Sequence, residues 1–109
     1  MVKAIVLLQR RSGMSRDDFE RYMRETHLPL VVRVPGLRRL VLNRVLPDPD
    51  SPAPVYDAVA EDWFDDLQTM GKAFESAEGK AVVDDGPNFL DMINFRLLVT
   101  EVEDIPLPT

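Results

Sequence analysis

The chain has 109 residues, of which 45% are hydrophobic and 29% are charged, as expected for an ordinary folded domain. This length fits a single domain spanning residues 1–109, and a domain this small buries only part of its apolar surface by itself. The lack of cysteine excludes disulfides and thiolate metal sites, and the net charge of −6 argues against nucleic acid and anionic membrane as partners.

The first predicted element is a strand over Val2–Arg10 that is apolar on both faces. Ala4 and Val6 point to one face, and Ile5 and Leu7 point to the other. The apolar run is too short to cross a bilayer, and its order of charged and apolar residues is not that of a signal peptide. We therefore expect a cytoplasmic protein with no membrane partner.

A helix is predicted from Arg16 to about His27, with Ser15 as its N-cap. A second helical turn can begin at Pro29, since proline is favoured at the first position of a helix. Pro35–Gly36 then ends the element. The apolar stripe of this helix consists of Phe19, Tyr22, Met23 and Thr26.

The middle and end of the chain predict three strands and a second helical region. The strands are Leu37–Leu46, Tyr56–Phe64 and Met92–Val102, and the first two flank a stiff, exposed proline-rich loop at 47–54. Asp65 is the predicted N-cap of the second helix, and Ser76 is the predicted N-cap of a further short helical piece. The predicted apolar stripe of the second helix is Leu67, Met70, Ala73 and Phe74.

The element order is therefore β-α-β-β-α-β, which predicts an α+β, ferredoxin-like subunit with a four-stranded antiparallel sheet and helices on one face. The other sheet face is predicted to be apolar, because the first and last strands carry apolar residues on both sides. A second copy of the chain can cover it, which predicts a homodimer with a pocket at the seam. The alternative is that the C-terminal tail folds over this face.

Several motifs in this order resemble the EthD-like family of dimeric α/β barrels over nearly the whole chain. They are Phe19-x-x-Tyr22-x-x-x-x-His27-x-Pro29-Leu30, Pro35-Gly36-Leu37-Arg38-Arg39, Asp57-x-Val59-Ala60-Glu61-x-Trp63-Phe64 and Phe74-x-Ser76-x-Glu78-Gly79. The resemblance implies a ferredoxin-like subunit, a homodimer and a barrel around a pocket. Relatives with assigned activities include a muconolactone methylisomerase and fungal polyketide-tailoring enzymes.

This chain departs from the family pattern at three positions. Met23 stands where many members have tryptophan, Arg44 where many have histidine, and Asp62 where leucine is frequent. The arginine at position 44 weakens the transfer of an acid/base scheme that depends on two histidines.

His27 and Asp62 are the candidate catalytic residues. His27 is the only histidine, and its imidazole can move protons near neutral pH. The alternative is that it caps helix carbonyls or packs on Pro29. Asp62 lies among apolar neighbours on its strand, either as a pocket group or where the strand reaches water.

Tyr22, Asn43, Arg44 and Trp63 are the candidate substrate-binding residues. Tyr22 can donate to a substrate oxygen or belong to the core, and Trp63 can line the pocket or pack in the core. Asn43 and Arg44 lie on opposite strand faces, so at most one of them faces a given cavity. Arg44 can hold a carboxylate or form an ion pair.

Two functions follow from these residues. In the first, the protein is a cofactor-independent isomerase or lyase that moves protons on a small hydrophobic carbonyl, lactone or aromatic compound. In the second, it is a non-catalytic binding or accessory protein of a pathway. No cofactor and no metal is expected, because the sequence contains none of the nucleotide-binding or zinc-binding motifs.

Overall fold

The computed structural model describes all residues from 1 to 109. Four antiparallel strands form one sheet in the order β2-β3-β1-β4. The strands are β1 (Val2–Leu8), β2 (Arg39–Arg44), β3 (Ala58–Phe64) and β4 (Arg96–Glu101). This topology confirms the predicted ferredoxin-like α+β fold.

Two helical regions follow β1 and β3. The first consists of α1 (Arg16–Tyr22), a π-helical turn (Met23–His27) and α2 (Leu28–Val31). The second consists of α3 (Leu67–Glu75), α4 (Ala77–Asp85) and a 3₁₀ turn (Gly86–Asn88). None of these helices combines the length and the apolar character that a membrane span requires.

The first helical region begins as the sequence predicts and then widens. The Ser15 side chain accepts a hydrogen bond from the Asp18 backbone at 3.1 Å, which confirms it as the N-cap. In the π-turn the Leu28 N–H donates to the Met23 carbonyl. Pro29 has no N–H, and its ring would clash with the carbonyl four residues earlier in a regular helix. The wider turn before Pro29 avoids this clash and lets the helical path continue to Val31.

The core lies between the helices and the inner face of the sheet. Ala4, Val6 and Leu8 of β1 point inward and are buried, as are Ala58 and Ala60 of β3. The intervening residues point to the outer face, where no helix packs. Three rows of side chains cross that face: Thr100-Lys3-Trp63-Arg39, Leu98-Ile5-Glu61-Val41 and Arg96-Leu7-Val59-Asn43.

Two predictions about element boundaries are wrong. Asp66, not Asp65, is the N-cap of α3, because its side chain accepts from the Thr69 backbone at 2.7 Å. Leu67 consequently lies at the first helical position and is 63% exposed instead of buried. β4 begins at Arg96 and not at Met92.

The late start of β4 has a local cause. The Asp91 side chain accepts hydrogen bonds from the backbone N–H groups of Ile93 and Asn94, at 2.9 Å and 3.2 Å. These bonds fold residues 91–94 into a turn, which competes with the extended conformation that the apolar residues favour. The loop at 47–54 lies outside the helices and strands, as predicted.

Candidate functional site

An apolar cavity of about 350 Å³ lies between the inner face of the sheet and the helices. Of its 18 lining residues, 15 are hydrophobic, and His27 and Asp62 are the only two with ionisable side chains. The lining residues are Val6, Leu8, Met23, His27, Leu28, Val31, Leu40, Ala60, Asp62, Phe74, Val82, Val83, Gly86, Leu90, Met92, Phe95, Leu97 and Val99. We call this space the apolar cavity.

The apolar cavity lies on the opposite side of the sheet from the seam where the sequence predicted a pocket. Strand residues that line it, such as Val6, Ala60 and Leu97, all belong to the inner face. Side-chain alternation identifies the two faces of the sheet but not the space between the sheet and its helices, so the sequence did not indicate this cavity. The small alanine side chains of β3 leave room there that larger residues would fill.

Asp62 is an unpaired carboxylate on the inner face. Across the sheet its neighbours are Ala4 on β1 and Leu40 on β2, neither of which has a side-chain donor. Its Oδ1 atom is buried and makes no hydrogen bond. Burial in these apolar surroundings disfavours the charged form and raises the pKa of Asp62 to about 6.

His27 lies in the π-turn and is 8% exposed. Its Nδ1 atom is 2.9 Å from Oδ2 of Asp85, at the end of α4. An ionised carboxylate only accepts, so Nδ1 carries the proton and donates it to Asp85. In the neutral imidazole Nε2 is then the free acceptor, and it makes no hydrogen bond within the chain.

Asp85 accepts hydrogen bonds from three side chains. The Tyr22 hydroxyl donates to Oδ1 at 2.5 Å, and the Asn88 amide donates to the same atom at 3.0 Å. Burial alone would raise the pKa of Asp85, but the hydrogen bonds from Tyr22, Asn88 and His27 outweigh it and hold that pKa below its usual range. Asp85 is therefore a negative charge that orients the imidazole.

Two aromatic rings support this network. The Phe89 ring is fully buried; it stacks on Tyr22 at a centroid distance of 4.8 Å and makes a tilted contact with His27 at 4.6 Å. Burial, with the hydrogen bond to Asp85, raises the pKa of Tyr22, so its hydroxyl remains a donor at neutral pH. The imidazole is held on one side by a ring and at Nδ1 by a carboxylate.

Sequence reasoning did not identify Asp85, Asn88 or Phe89. Asp85 is 58 positions from His27, and the sequence offers 19 acidic residues as partners for a buried histidine. In the sequence, the segment from Asp84 to Pro87 indicates only the end of a helix, because it contains a glycine and a proline. The requirement that a buried imidazole N–H has an acceptor predicts that some partner exists, but only the tertiary fold shows which one.

The remaining candidate residues lie outside the apolar cavity. Asn43 and Trp63 are on the outer face, where Asn43 donates to Glu61 at 2.9 Å and the Trp63 ring is flanked by Lys3 and Arg39. Tyr22 reaches the site only through Asp85. Arg44 lines a smaller adjacent pocket. The structure therefore brings His27 and Asp62 to one cavity and separates them from Asn43 and Trp63.

A family model for the EthD domain matches residues 11–93, which include His27, Asp62 and Asp85. The chain belongs to the EthD family. No curated protein is significantly similar to this EthD family member.

Solved structures share the fold over nearly the whole chain. An EthD family protein from Bacillus halodurans is 27% identical, with a TM-score of 0.83 over 94% of this chain and 99% of that chain. A dimeric protein of unknown function with a ferredoxin-like fold, from Bacteroides fragilis, is 15% identical, with a TM-score of 0.68 over 93% and 95%. SnoaB, a cofactor-independent oxygenase from Streptomyces nogalater, is 14% identical, with a TM-score of 0.65 over 95% and 94%.

Proposed function

We propose that this EthD family protein binds a small hydrophobic carbonyl, lactone or aromatic compound and catalyses proton transfer on it without a cofactor. The observation that carries the proposal is that two ionisable side chains, His27 and Asp62, line an otherwise apolar cavity. Such a cavity suits an apolar ligand, and convergent polar groups in it are the usual sign of a functional site. The structural likeness to a cofactor-independent oxygenase supports cofactor-free chemistry on this fold.

In this proposal His27 is the general base. Asp85 holds Nδ1, so the lone pair of Nε2 is available to accept a proton from an acidic C–H or O–H bond of the substrate. The electron pair moves onto the substrate oxygen as an enolate or phenolate. Returning the proton from Nε2 to a different carbon completes an isomerisation, and no atom is gained or lost.

Asp62 is the second group of the proposed mechanism. In its protonated form it donates a hydrogen bond to the substrate oxygen where negative charge develops. Its pKa of about 6 means that both forms of the carboxyl are present near neutral pH. The rate should therefore fall as the pH rises through about 6, because the protonated donor is lost.

Hydrogen–deuterium exchange into 2-tetralone, an apolar ketone with acidic C–H bonds, tests this proposal. We expect the wild-type protein to accelerate the exchange seen by proton NMR in D₂O, and His27→Gln to lower the accelerated rate at least about 100-fold. Asp85→Asn should lower it less, because that change only misorients the imidazole. Lys72→Gln, on the exposed side of α3, is the matched control.

Two outcomes of this experiment separate the candidate functions. Exchange that is equally fast with His27→Gln would remove the role of His27 as the base. Saturable binding of the ketone with no acceleration of exchange would instead favour the binding or accessory protein.

We further infer that the protein is a homodimer formed through the outer face of the sheet. The middle row of that face consists of the apolar residues Leu98, Ile5 and Val41 together with Glu61, and Leu98 is 54% exposed. A relative with this fold is dimeric, which supports the inference. Exposed apolar residues on a sheet face without a helix are stabilised when a two-fold copy covers them.

Light scattering at micromolar concentration tests the dimer. The expected mass is twice the 12.4 kDa of one chain. Leu98→Glu should shift the mass towards that of a single chain, because it replaces the exposed apolar residue of this row with a second carboxylate in the row of Glu61. Leu46→Glu is the matched control, since Leu46 is equally apolar but lies in the exposed loop after β2. A wild-type mass of one chain would contradict the inference.

A further inference from the structure

A second, smaller pocket adjoins the apolar cavity and contains two arginines. Its volume is about 180 Å³, and it is lined by Glu20 and Arg24 of the first helical region, Arg44 of β2, and apolar residues. Met23 and Leu28 line both spaces and form the wall between them. We call this smaller space the arginine pocket.

The arginine pocket has guanidinium N–H groups that are free to bind an anion. The Arg44 Nε donates to Glu20 Oε2 at 2.9 Å, but the two Nη groups of Arg44 make no hydrogen bond within the chain. Arg24 forms no ion pair and no side-chain hydrogen bond. Two arginines and one glutamate leave a net positive pocket on a chain whose net charge is −6. A guanidinium fork matches the two oxygens of a carboxylate.

The wall between the two spaces contains a flexible side chain and lies close to the proposed base. Met23 is an unbranched side chain, and methionine adapts readily to a ligand. Met23 and His27 are the first and last residues of the π-turn, so the wall and the proposed base lie within one helical turn of each other. A compound that reaches past Met23 therefore places its far end in the arginine pocket about one helical turn from His27.

From this arrangement we infer that the ligand carries a carboxylate at the end remote from the reacting carbon, and that Arg44 and Arg24 bind it. This inference rests on the proposed function, because it assigns the apolar part of the same ligand to the cavity of His27 and Asp62. Glu20 is then the internal anion that occupies Arg44 in the absence of ligand and competes with the carboxylate.

A pair of fluorescent probes separates the anionic end from the apolar body. 1-Anilinonaphthalene-8-sulfonate has an apolar aromatic body and an anionic group, which stands in for the carboxylate. N-Phenyl-1-naphthylamine has the same rings without the anion. Both probes are titrated into the full-length protein, and their dissociation constants are compared between wild type and variants. Displacement of each bound probe by the other is also measured.

We expect Arg44→Gln to weaken the anionic probe about tenfold, as the loss of a charge-assisted hydrogen bond predicts, and to change the neutral probe less than about twofold. Glu20→Gln should tighten the anionic probe about threefold, because it removes the competing carboxylate. Arg24→Gln repeats the test at an exposed residue that has no ion pair or side-chain hydrogen bond to lose.

Arg33→Gln is the matched control, because it removes one exposed positive charge and lines neither pocket. If Arg44→Gln and Arg24→Gln leave the anionic probe unchanged, or weaken both probes equally, the carboxylate site is refuted while the apolar cavity stands. If neither probe binds saturably at one per chain, the proposed ligand cavity fails, and the carboxylate site fails with it. An equal effect of Arg33→Gln would also overturn the site, since it would show a response to net charge alone.

Discussion

Asparagine in place of Asp62 is expected to raise the free energy of unfolding by about 2 kcal/mol near pH 7.5 and by almost nothing near pH 4. In the unfolded chain this carboxyl ionises around pH 4, whereas burial raises its pKa in the folded protein to about 6. Between these values the folded state binds more protons, so wild-type stability falls as the pH rises from about 4 to about 6. The neutral amide has no such dependence.

The size of this effect follows from the pKa difference. A difference of two pKa units corresponds to roughly 3 kcal/mol, and we expect somewhat less because Asp62 is not wholly shielded from solvent. Leucine at position 62 should add a further gain of about 1 kcal/mol from burial of its apolar side chain against Ala4 and Leu40.

Urea unfolding followed by the fluorescence of Trp63, the only tryptophan, measures these differences. The protein concentration must be fixed, because the stability of a dimer depends on it. Asp104→Asn, in the exposed tail, controls for the change in net charge. If wild type and Asp62→Asn have parallel stability curves between about pH 4 and pH 7.5, Asp62 ionises as an exposed residue does and the desolvated site is refuted.

A gain in stability on removal of Asp62 would also bear on function. A carboxylate that destabilises its own fold is most simply retained for binding or chemistry, since sites commonly keep such groups at the expense of stability. We therefore expect Asp62→Leu, whose side chain has no hydrogen-bond donor, to be more stable near neutral pH and slower in the ketone exchange experiment. A variant that is more stable and equally active would leave Asp62 without a role in the proposed mechanism.

Local patterns in the sequence were sufficient for most of the fold. Interactions between residues close in the chain determine the strand alternation and the order of elements. They also determine the helix caps at Ser15 and Ser76. The same alternation correctly placed Asp62 on one face of β3 and Trp63 on the other. The errors at Asp65 and Met92 concern element ends, where a single side-chain hydrogen bond decides between two neighbouring residues.

The site itself was only half predictable. His27 stood out as the single histidine and Asp62 as a charge among apolar residues, and both line the apolar cavity. Their surroundings depend on packing between distant elements, which periodicity does not contain. Asp85 lies at the end of α4, so its distance from His27 depends on the path of α3 and α4 across the sheet.

That path depends on Gly79, and Gly79→Ala is expected to lower the free energy of unfolding by more than about 3 kcal/mol. A Cβ atom at this position would lie only 2.1 Å from the Ala73 carbonyl oxygen and 2.8 Å from the Phe74 Cα atom. Both contacts are backbone atoms of α3, which no side-chain rotation can move. The end of α3 and the start of α4 must therefore separate or distort.

Gly71→Ala is the matched control, because Gly71 lies inside α3 and a Cβ there meets no atom within 4 Å. That change should stabilise the protein by up to about 1 kcal/mol through helix propensity. Thermal melting of both variants by circular dichroism distinguishes the two effects. Equal stability of Gly79→Ala and wild type would mean that α3 and α4 do not approach each other this closely.

The close approach at Gly79 connects the fold to the site. Ser76 caps α4 by accepting from the Gly79 N–H at 3.0 Å, so the direction of α4 is set within its first turn. About one turn after Gly79 the same helix carries Val82 and Val83 to the apolar cavity, and at its end it carries Asp85 to His27. Any Gly79→Ala protein that folds should therefore also lose the accelerated ketone exchange, as Asp85→Asn does in part, although position 79 is outside the cavity lining. Full exchange activity in a destabilised Gly79→Ala protein would show that the position of Asp85 does not depend on this turn.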